Sequence, residues 1–152
     1  MIYPYLTYCV TAWGSCCPTN LNPLNVLQRR AVRIICNKGT RADSEALFKQ
    51  LEILKVYDVF RLYCALYFYC IINEYKAPYI NIKINEWQIH NEMELRNNNK
   101  LRLPKVKVLR YKQSLLYQGI VQWNILPYDI KTIQTVNSFK RLMKLFLKGK
   151  FD

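Results

Sequence analysis

Residues 55–74, KVYDVFRLYCALYFYCIINE, decide the fold. Apolar side chains recur here at the three- and four-residue spacing of one helix face, and most other positions are apolar too. The residues at this spacing are Val59, Leu62, Tyr63, Leu66, Tyr67, Cys70 and Ile71. A helix that is apolar nearly all round lies in the middle of a fold. Its uncharged part, 62–72, has 11 residues, whereas a membrane-spanning helix needs about 20. We therefore predict a long, buried central helix and no membrane partner.

Shorter helical patterns flank this stretch on both sides. Six prolines and four glycines leave few places for the tight turns of a many-stranded sheet. The predicted helices span residues 2–13, 23–36, 44–51, 112–123 and 137–148. Their expected caps are Asn22 before Pro23, Ser44, Asn137 or Ser138, and Gly149 as the final stop. The chain is therefore predicted to be mainly α, with residues 1–152 forming a single helical domain.

Two of these helices carry a stripe of cations. In residues 23–36 the apolar face, predicted to point inward, consists of Leu24, Leu27, Ala31, Ile34 and Ile35, opposite Arg29, Arg30 and Arg33. In residues 137–148 the apolar face consists of Phe139, Leu142, Met143 and Phe146, opposite Lys140, Arg141, Lys144 and Lys148. Such a stripe is also typical of a solvated helix face, so by itself it does not identify a partner.

Helical periodicity is lost between the central helix and residue 112. Residues 75–100 are predicted to be an internal loop region, with a short strand near residues 87–89. In residues 101–108, apolar residues alternate with cations, which predicts a short extended or β segment with its cations facing outward. Pro104 restricts any strand there to an edge position.

Charge is concentrated in the last third of the chain. The whole chain carries +13, and residues 96–152 hold 13 Lys and Arg against 2 Asp and Glu. Residues 96–112 contain seven cations and no acid, namely Arg96, Lys100, Arg102, Lys105, Lys107, Arg110 and Lys112. This asymmetry indicates a polyanionic partner, with nucleic acid favoured over a membrane surface. The alternative is a basic face that contacts only solvent.

The sequence lacks the residue patterns typical of a catalytic or metal-binding site. The histidine His90 has no cysteine at ligand spacing, no Cys-x-x-Cys occurs, and zinc is not predicted. The aspartates Asp43, Asp58, Asp129 and Asp152 are far apart in sequence, whereas a two-metal phosphoryl-transfer site needs clustered carboxylates. We therefore predict no cofactor and no self-sufficient enzyme. The six cysteines lie mostly among apolar neighbours, which favours reduced thiols in an intracellular protein of the nucleus or cytoplasm.

Several short motifs follow one another along most of the chain. They are Tyr3-Pro-Tyr-Leu-Thr-Tyr, Ala12-Trp13-Gly14, Leu27-Gln28-Arg29-Arg30-Ala31-Val32-Arg33, Leu47-Phe48, Ile53-Leu54-Lys55, Arg96-Asn97, Leu101-Arg102-Leu103-Pro104, Tyr117, Gly119, Trp123-Asn124-x-Leu126-Pro127 and Ser138-Phe139-Lys140. Their order and spacing resemble the region C-terminal to the polymerase palm in non-long-terminal-repeat retrotransposon reverse transcriptases of the jockey type.

The resemblance implies a helical region, thumb-like at its start, in a protein that copies element RNA into DNA. The paired catalytic aspartates of the family lie upstream of the region that this chain resembles. The chain is therefore expected to be a fragment without polymerase activity. Its uncharged N-terminal helix is expected to pack against an upstream polymerase domain.

Two functional hypotheses follow. In the first, the chain binds the backbone of RNA or DNA without reading sequence. The residues assigned to this contact are Arg96, Lys100, Arg102, Lys105, Lys107, Arg110 and Lys112, with Arg29, Arg30 and Arg33 as an extension, and Tyr111 or Tyr117 as candidates to stack on bases. In the second, the chain is a structural docking module that braces the polymerase domain. A third outcome is an inactive fragment of a decayed element.

Overall fold

A computed structural model of the chain describes residues 3–73, 101 and 103–149. Its regular structure is helical, which confirms the predicted mainly-α fold, and no strand occurs in these residues. The helices are α1 (Tyr3–Thr7), α2 (Val10–Trp13), α3 (Pro18–Ile35), α4 (Ser44–Gln50), α5 (Val56–Ile72), α6 (Leu109–Lys112), α7 (Leu115–Ile125), α8 (Tyr128–Lys131) and α9 (Val136–Leu147). The predicted loop region 75–100, with its short strand, lies outside the described residues.

Helix α5 is the central helix that the sequence predicts. Side chains on all of its sides are buried, and Val59, Leu62 and Phe68 have no exposed surface. Helices α1, α2 and α3 pack against it, as do α7 and α9. Because α5 is apolar all round, its burial needs neighbours on several sides, and these helices provide them.

Aromatic contacts join the second half of α5 to α7 and α9. The ring of Tyr69 stacks on Phe139 of α9 with 4.2 Å between the ring centroids. Its hydroxyl donates a hydrogen bond of 2.6 Å to the carbonyl oxygen of Ile133, just before α9. Phe68 packs against Trp123 of α7, with 6.1 Å between centroids. Each buried ring stabilises the fold through the apolar surface that it removes from water and through its contact with the other ring. These contacts fix α7 and α9 on α5.

A buried side-chain amide joins α3 to the start of α5. The Gln28 side chain accepts a hydrogen bond of 2.9 Å from the backbone N–H of Val56. It also donates one of 2.9 Å to the carbonyl oxygen of Leu54. Val56 is the first residue of α5, and the N-cap residue Lys55 supplies no side-chain cap. Gln28 therefore satisfies an N–H group that a helix start otherwise leaves unpaired.

This amide explains why the predicted orientation of α3 is wrong. The buried residues of α3 are Leu21, Gln28 and Val32. Leu27, Ile34 and Ile35, predicted to face inward, are 58%, 77% and 60% exposed. Periodicity identifies an apolar face but not which face meets the core, and in α3 the polar Gln28 lies on the inner one.

The start of α3 also differs from the prediction. The helix begins at Pro18, five residues before Pro23, and Cys17 is its N-cap residue. Pro18 occupies the first turn, where its missing N–H has no cost. Asn22 is therefore inside the helix, where its side-chain oxygen accepts a hydrogen bond of 2.9 Å from the Tyr57 hydroxyl.

The N-terminal helix predicted over residues 2–13 is broken in two. Cys9 has a left-handed backbone with φ of 47°, which ends the first helix before α2 begins. The indole N–H of Trp13 donates a hydrogen bond of 2.8 Å to the carbonyl oxygen of Tyr8 across this break. The predicted burial holds for Leu6 and Val10, whereas Tyr8 is 77% exposed.

Two further predicted caps are shifted by one to three residues. Asp43, and not Ser44, caps α4, because its carboxylate accepts hydrogen bonds from the N–H groups of Glu45 and Ala46. Thr135 caps α9 in place of Asn137 or Ser138. Gly149 has φ of 66°, which confirms it as the residue that ends this helix.

Residues 103–108 form no regular secondary structure, so the predicted short β segment is not supported there. Pro104 lacks the N–H that a strand ladder requires. The backbone groups of Leu101 pair with a side chain instead, since the Asn124 side-chain oxygen accepts from the Leu101 N–H over 2.8 Å. The Asn124 amide N–H donates to the Leu101 carbonyl oxygen, also over 2.8 Å.

Gly119 lies inside α7 and does not interrupt the helix. A Cβ atom added there would lie 2.7 Å from Cδ2 of Phe68, whose side chain is fully buried. We predict that Gly119→Ala destabilises the fold. The overpacking costs about 1–3 kcal/mol, against a gain of at most about 1 kcal/mol in helix propensity.

Chemical denaturation of both the wild type and the variant measures this difference. Gly39→Ala is the matched control, because nothing lies within 4 Å of a Cβ atom at that position. A Gly119→Ala variant as stable as the wild type would contradict the close packing of α7 on α5.

Candidate nucleic-acid interface

The basic segment, defined here as residues 103–112, lies along α7 and is fixed at both ends. At one end, Leu101 is paired with Asn124 near the C-terminus of α7. At the other end, Ser114 caps α7 by accepting a hydrogen bond from the N–H of Tyr117. The chain therefore passes α7 from its C-terminal end to its N-terminal end.

Two contacts hold α6 against the first turns of α7. The rings of Tyr111 and Tyr117 meet edge to face, with 6.4 Å between their centroids. The side-chain amide of Gln118 donates a hydrogen bond of 2.7 Å to the carbonyl oxygen of Lys112. These contacts fix the last four residues of the basic segment in one orientation.

The cations of the basic segment point into solvent. All four are exposed, namely Lys105, Lys107, Arg110 and Lys112. None of them forms an ion pair with another residue that the structure describes. Pro104 and Val106 are half-buried between them, so the predicted alternation holds over these positions. It fails at Leu103 and Val108, which are 37% and 62% exposed.

An aromatic side chain lies within this group of cations. Tyr111, between Arg110 and Lys112, is 41% exposed. Tyr117 is less exposed and supports the Tyr111 ring from the side. An exposed, supported ring among cations can stack on an unpaired base. Of the two tyrosines that the sequence offers, Tyr111 has the geometry for this contact.

The arginines of α3 have different surroundings. Arg33 donates a hydrogen bond of 2.9 Å from its Nε to the carbonyl oxygen of Ala42. The Nε of Arg29 is buried and has no partner among the described residues, and Arg30 is exposed. Helix α3 packs on α4 and α5, whereas the basic segment packs on α7. The predicted site is therefore divided between two parts of the fold.

Three residues of the predicted site, Arg96, Lys100 and Arg102, lie outside the described residues. The cationic face of α9 is partly engaged in contacts. The ammonium of Lys140 lies 5.5 Å from the ring centroid of Tyr63. Lys148 forms an ion pair of 3.6 Å with Glu52. These contacts leave α9 a weaker candidate than the basic segment for binding a polyanion.

Reactive groups are sparse in the described part of the chain. It contains no cluster of three His, Cys, Asp or Glu side chains close enough to hold a metal ion. All six cysteines are free. Burial raises the pKa of the Cys64 thiol to about 12, so this thiol stays protonated and unreactive. A hydrogen bond with Thr19 lowers the pKa of the exposed Cys17.

Asn124 is the site residue that sequence reasoning missed. Its side chain fixes the start of the basic segment through two hydrogen bonds with Leu101. Its motif, Trp123-Asn124-x-Leu126-Pro127, does not itself indicate a role for the asparagine. No periodic pattern links positions 101 and 124, so the pairing leaves no local signal in the sequence.

Among residues 3–73, 101 and 103–149, none of the helices combines the length and the hydrophobicity of a membrane-spanning helix. Comparisons with protein-family models, with curated proteins and with solved structures give no match for this chain.

The pairing of Asn124 with Leu101 can be tested by substitution. We predict that Asn124→Ala speeds amide hydrogen exchange over residues 101–112, because it removes two hydrogen bonds that fix one end of the segment. The expected stability loss is about 1–3 kcal/mol. Exchange mass spectrometry localises the effect, with Asn137→Ala on exposed α9 surface as control. Unchanged exchange over residues 101–112 would show that the segment is held by other contacts.

Proposed function

We propose that this chain is a non-catalytic nucleic-acid-binding module that contacts RNA or DNA backbone through the basic segment. The observation that carries the proposal is the group of four exposed cations, without ion pairs among the described residues, on a segment anchored at both ends. No acid occurs between residues 96 and 128 to offset their charge. Lysine and arginine on a fixed backbone bind phosphates without reading base sequence.

In this proposal the module is one part of a larger reverse transcriptase. The motif order resembles the region after the palm in jockey-type retrotransposon reverse transcriptases. A region beside a polymerase palm would contact the backbone of the template without reading its sequence. Arg96, Lys100 and Arg102 belong to the same contact in this proposal, since they precede the described cations in the acid-free run. The α3 arginines contribute less, because Arg33 is already bonded to Ala42.

Single-stranded ligands are favoured over duplexes within this proposal. Tyr111 offers a ring face beside Arg110 and Lys112, and stacking on such a ring requires an unpaired base. A duplex exposes phosphates but keeps its bases stacked on each other. We therefore expect single-stranded RNA or DNA to bind more tightly than duplex DNA of equal length, with little dependence on sequence.

A triple variant tests the proposal, with Lys105→Gln, Lys107→Gln and Arg110→Gln combined. It should bind labelled single-stranded RNA about tenfold or more weakly than the wild type at low salt. Each lost phosphate contact removes the free energy gained by releasing a counterion from the nucleic acid. Fluorescence anisotropy with the full chain measures this change. Tyr111→Leu is expected to weaken single-stranded binding while leaving duplex binding unchanged.

A matched control removes the same charge elsewhere. Lys38→Gln, Arg41→Gln and Lys49→Gln change three exposed cations outside the basic segment, and this variant should bind nearly as well as the wild type. Equal losses in both triple variants would show that net charge, and not the basic segment, determines affinity. Absence of wild-type binding at low salt would refute the proposed function.

A further inference from the structure

Helix α3 carries an apolar stripe in which Leu27, Ile34 and Ile35 are exposed, while Leu24 and Ala31 are half-buried. Its members follow one another at spacings of three and four residues, in the order Leu24, Leu27, Ala31 and Ile34, with Ile35 beside them. Leu27 is 58% exposed and Ile34 is 77% exposed. This spacing is the seam through which two helices pack by inserting side chains between one another. From Leu24 to Ile35 the stripe is about 17 Å long, at a rise of about 1.5 Å per residue.

The stripe continues into a cleft between α1, α3 and α9. The cleft has a volume of about 360 Å³ and is lined mainly by apolar side chains, among them Tyr3, Leu6, Ala31, Ile35 and Leu54, and also by Gln28, Glu52, Lys144 and Lys148. Because Ala31 and Ile35 belong both to the stripe and to the cleft wall, the two form one continuous apolar surface. Such a surface can receive a helix on the stripe and side chains of that helix in the cleft.

The chemistry of this surface favours a protein ligand. Leu27, Ile34 and Ile35 are aliphatic, and aliphatic side chains neither pair with phosphates nor provide the ring face on which a base stacks. Their exposure is unfavourable in water and is relieved by contact with other apolar side chains.

The charges around this surface specify the partner further. Helix α3 contains no acid, and Arg30 and Lys38 lie at or near its exposed side. On the other side of the cleft stand Lys144 and Lys148, and the lining acid Glu52 is paired with Lys148 over 3.6 Å. A second copy of this chain would bring like charges together across the stripe, which opposes association. An acidic partner would pair with Arg30, Lys38 and Lys144, whereas Lys148 is already paired with Glu52.

We infer that the α3 stripe and the adjoining cleft bind an amphipathic α-helix of a partner protein, one with apolar residues at heptad spacing and glutamate or aspartate on its flanks. This surface is distinct from the basic segment on α7. The chain therefore has two separate binding surfaces, one for a polyanion and one for an acidic helix.

The experiment uses a labelled synthetic peptide of about three heptads with leucine at the a and d positions and mainly glutamate elsewhere. Fluorescence anisotropy with the full chain should show saturable binding. Ile34→Asp should weaken it by about tenfold or more, the change expected when one large aliphatic side chain is no longer buried. Ile125→Asp is the matched control, because Ile125 is 59% exposed at the end of α7, and it should bind like the wild type.

A second peptide separates charge from hydrophobicity. With lysine in place of every glutamate, it should not bind. Equal binding of the two peptides, or no binding of the acidic one, would overturn the inference. So would a dimer of the chain in sedimentation that Ile34→Asp disrupts, which would identify a second copy as the occupant. Single-stranded RNA binding that is weakened by Ile34→Asp would assign the surface to nucleic acid instead.

The variant itself provides a further check. Ile34 is exposed, so Ile34→Asp should leave the melting temperature close to that of the wild type. A fall of more than about 5 °C would show that the side chain is covered within the free chain and would refute the docking surface.

Discussion

The burial of α5 on every side is the constraint on which the rest of the structure depends. Of its 17 residues, ten are buried, and each large apolar side chain contributes about 1.5–3 kcal/mol when removed from water. A single neighbouring helix covers only one side of such an element. Helices α7 and α9 therefore cover its second half, while α1, α2 and α3 pack elsewhere on it. Gln28 of α3 accepts a hydrogen bond from the N–H of Val56, the first residue of α5.

This arrangement determines which surfaces remain for binding. Helix α7 lies on α5, and the chain before α7 runs along it from its C-terminal end to its N-terminal end. Asn124 fixes the start of this path by pairing with Leu101. The cations of the basic segment then face solvent. Because Gln28 turns α3 toward α5, the apolar residues on the other sides of α3 also face solvent. The two proposed surfaces follow from how their helices attach to the core.

The sequence predicts those elements that depend on local patterns. Residues 55–74 predict the central helix because their periodicity is strong, and Gly149 marks the end of α9 because glycine readily adopts the positive φ of a helix stop. The face of α3 could not be predicted, since its orientation depends on a hydrogen bond between residues 28 and 56. The anchoring of the basic segment depends likewise on residues 101 and 124. The sequence shows the cations of the site, but it does not show the hydrogen bonds that fix the backbone carrying them.

The salt dependence of wild-type binding tests the central functional claim most directly. If the four described cations of the basic segment contact phosphates, the logarithm of the association constant for single-stranded RNA should fall with the logarithm of salt concentration with a slope of about −3, and more steeply if Arg96, Lys100 and Arg102 also take part. A slope near zero would mean that phosphate contacts do not drive binding, and it would contradict the assignment of the basic segment as a nucleic-acid interface.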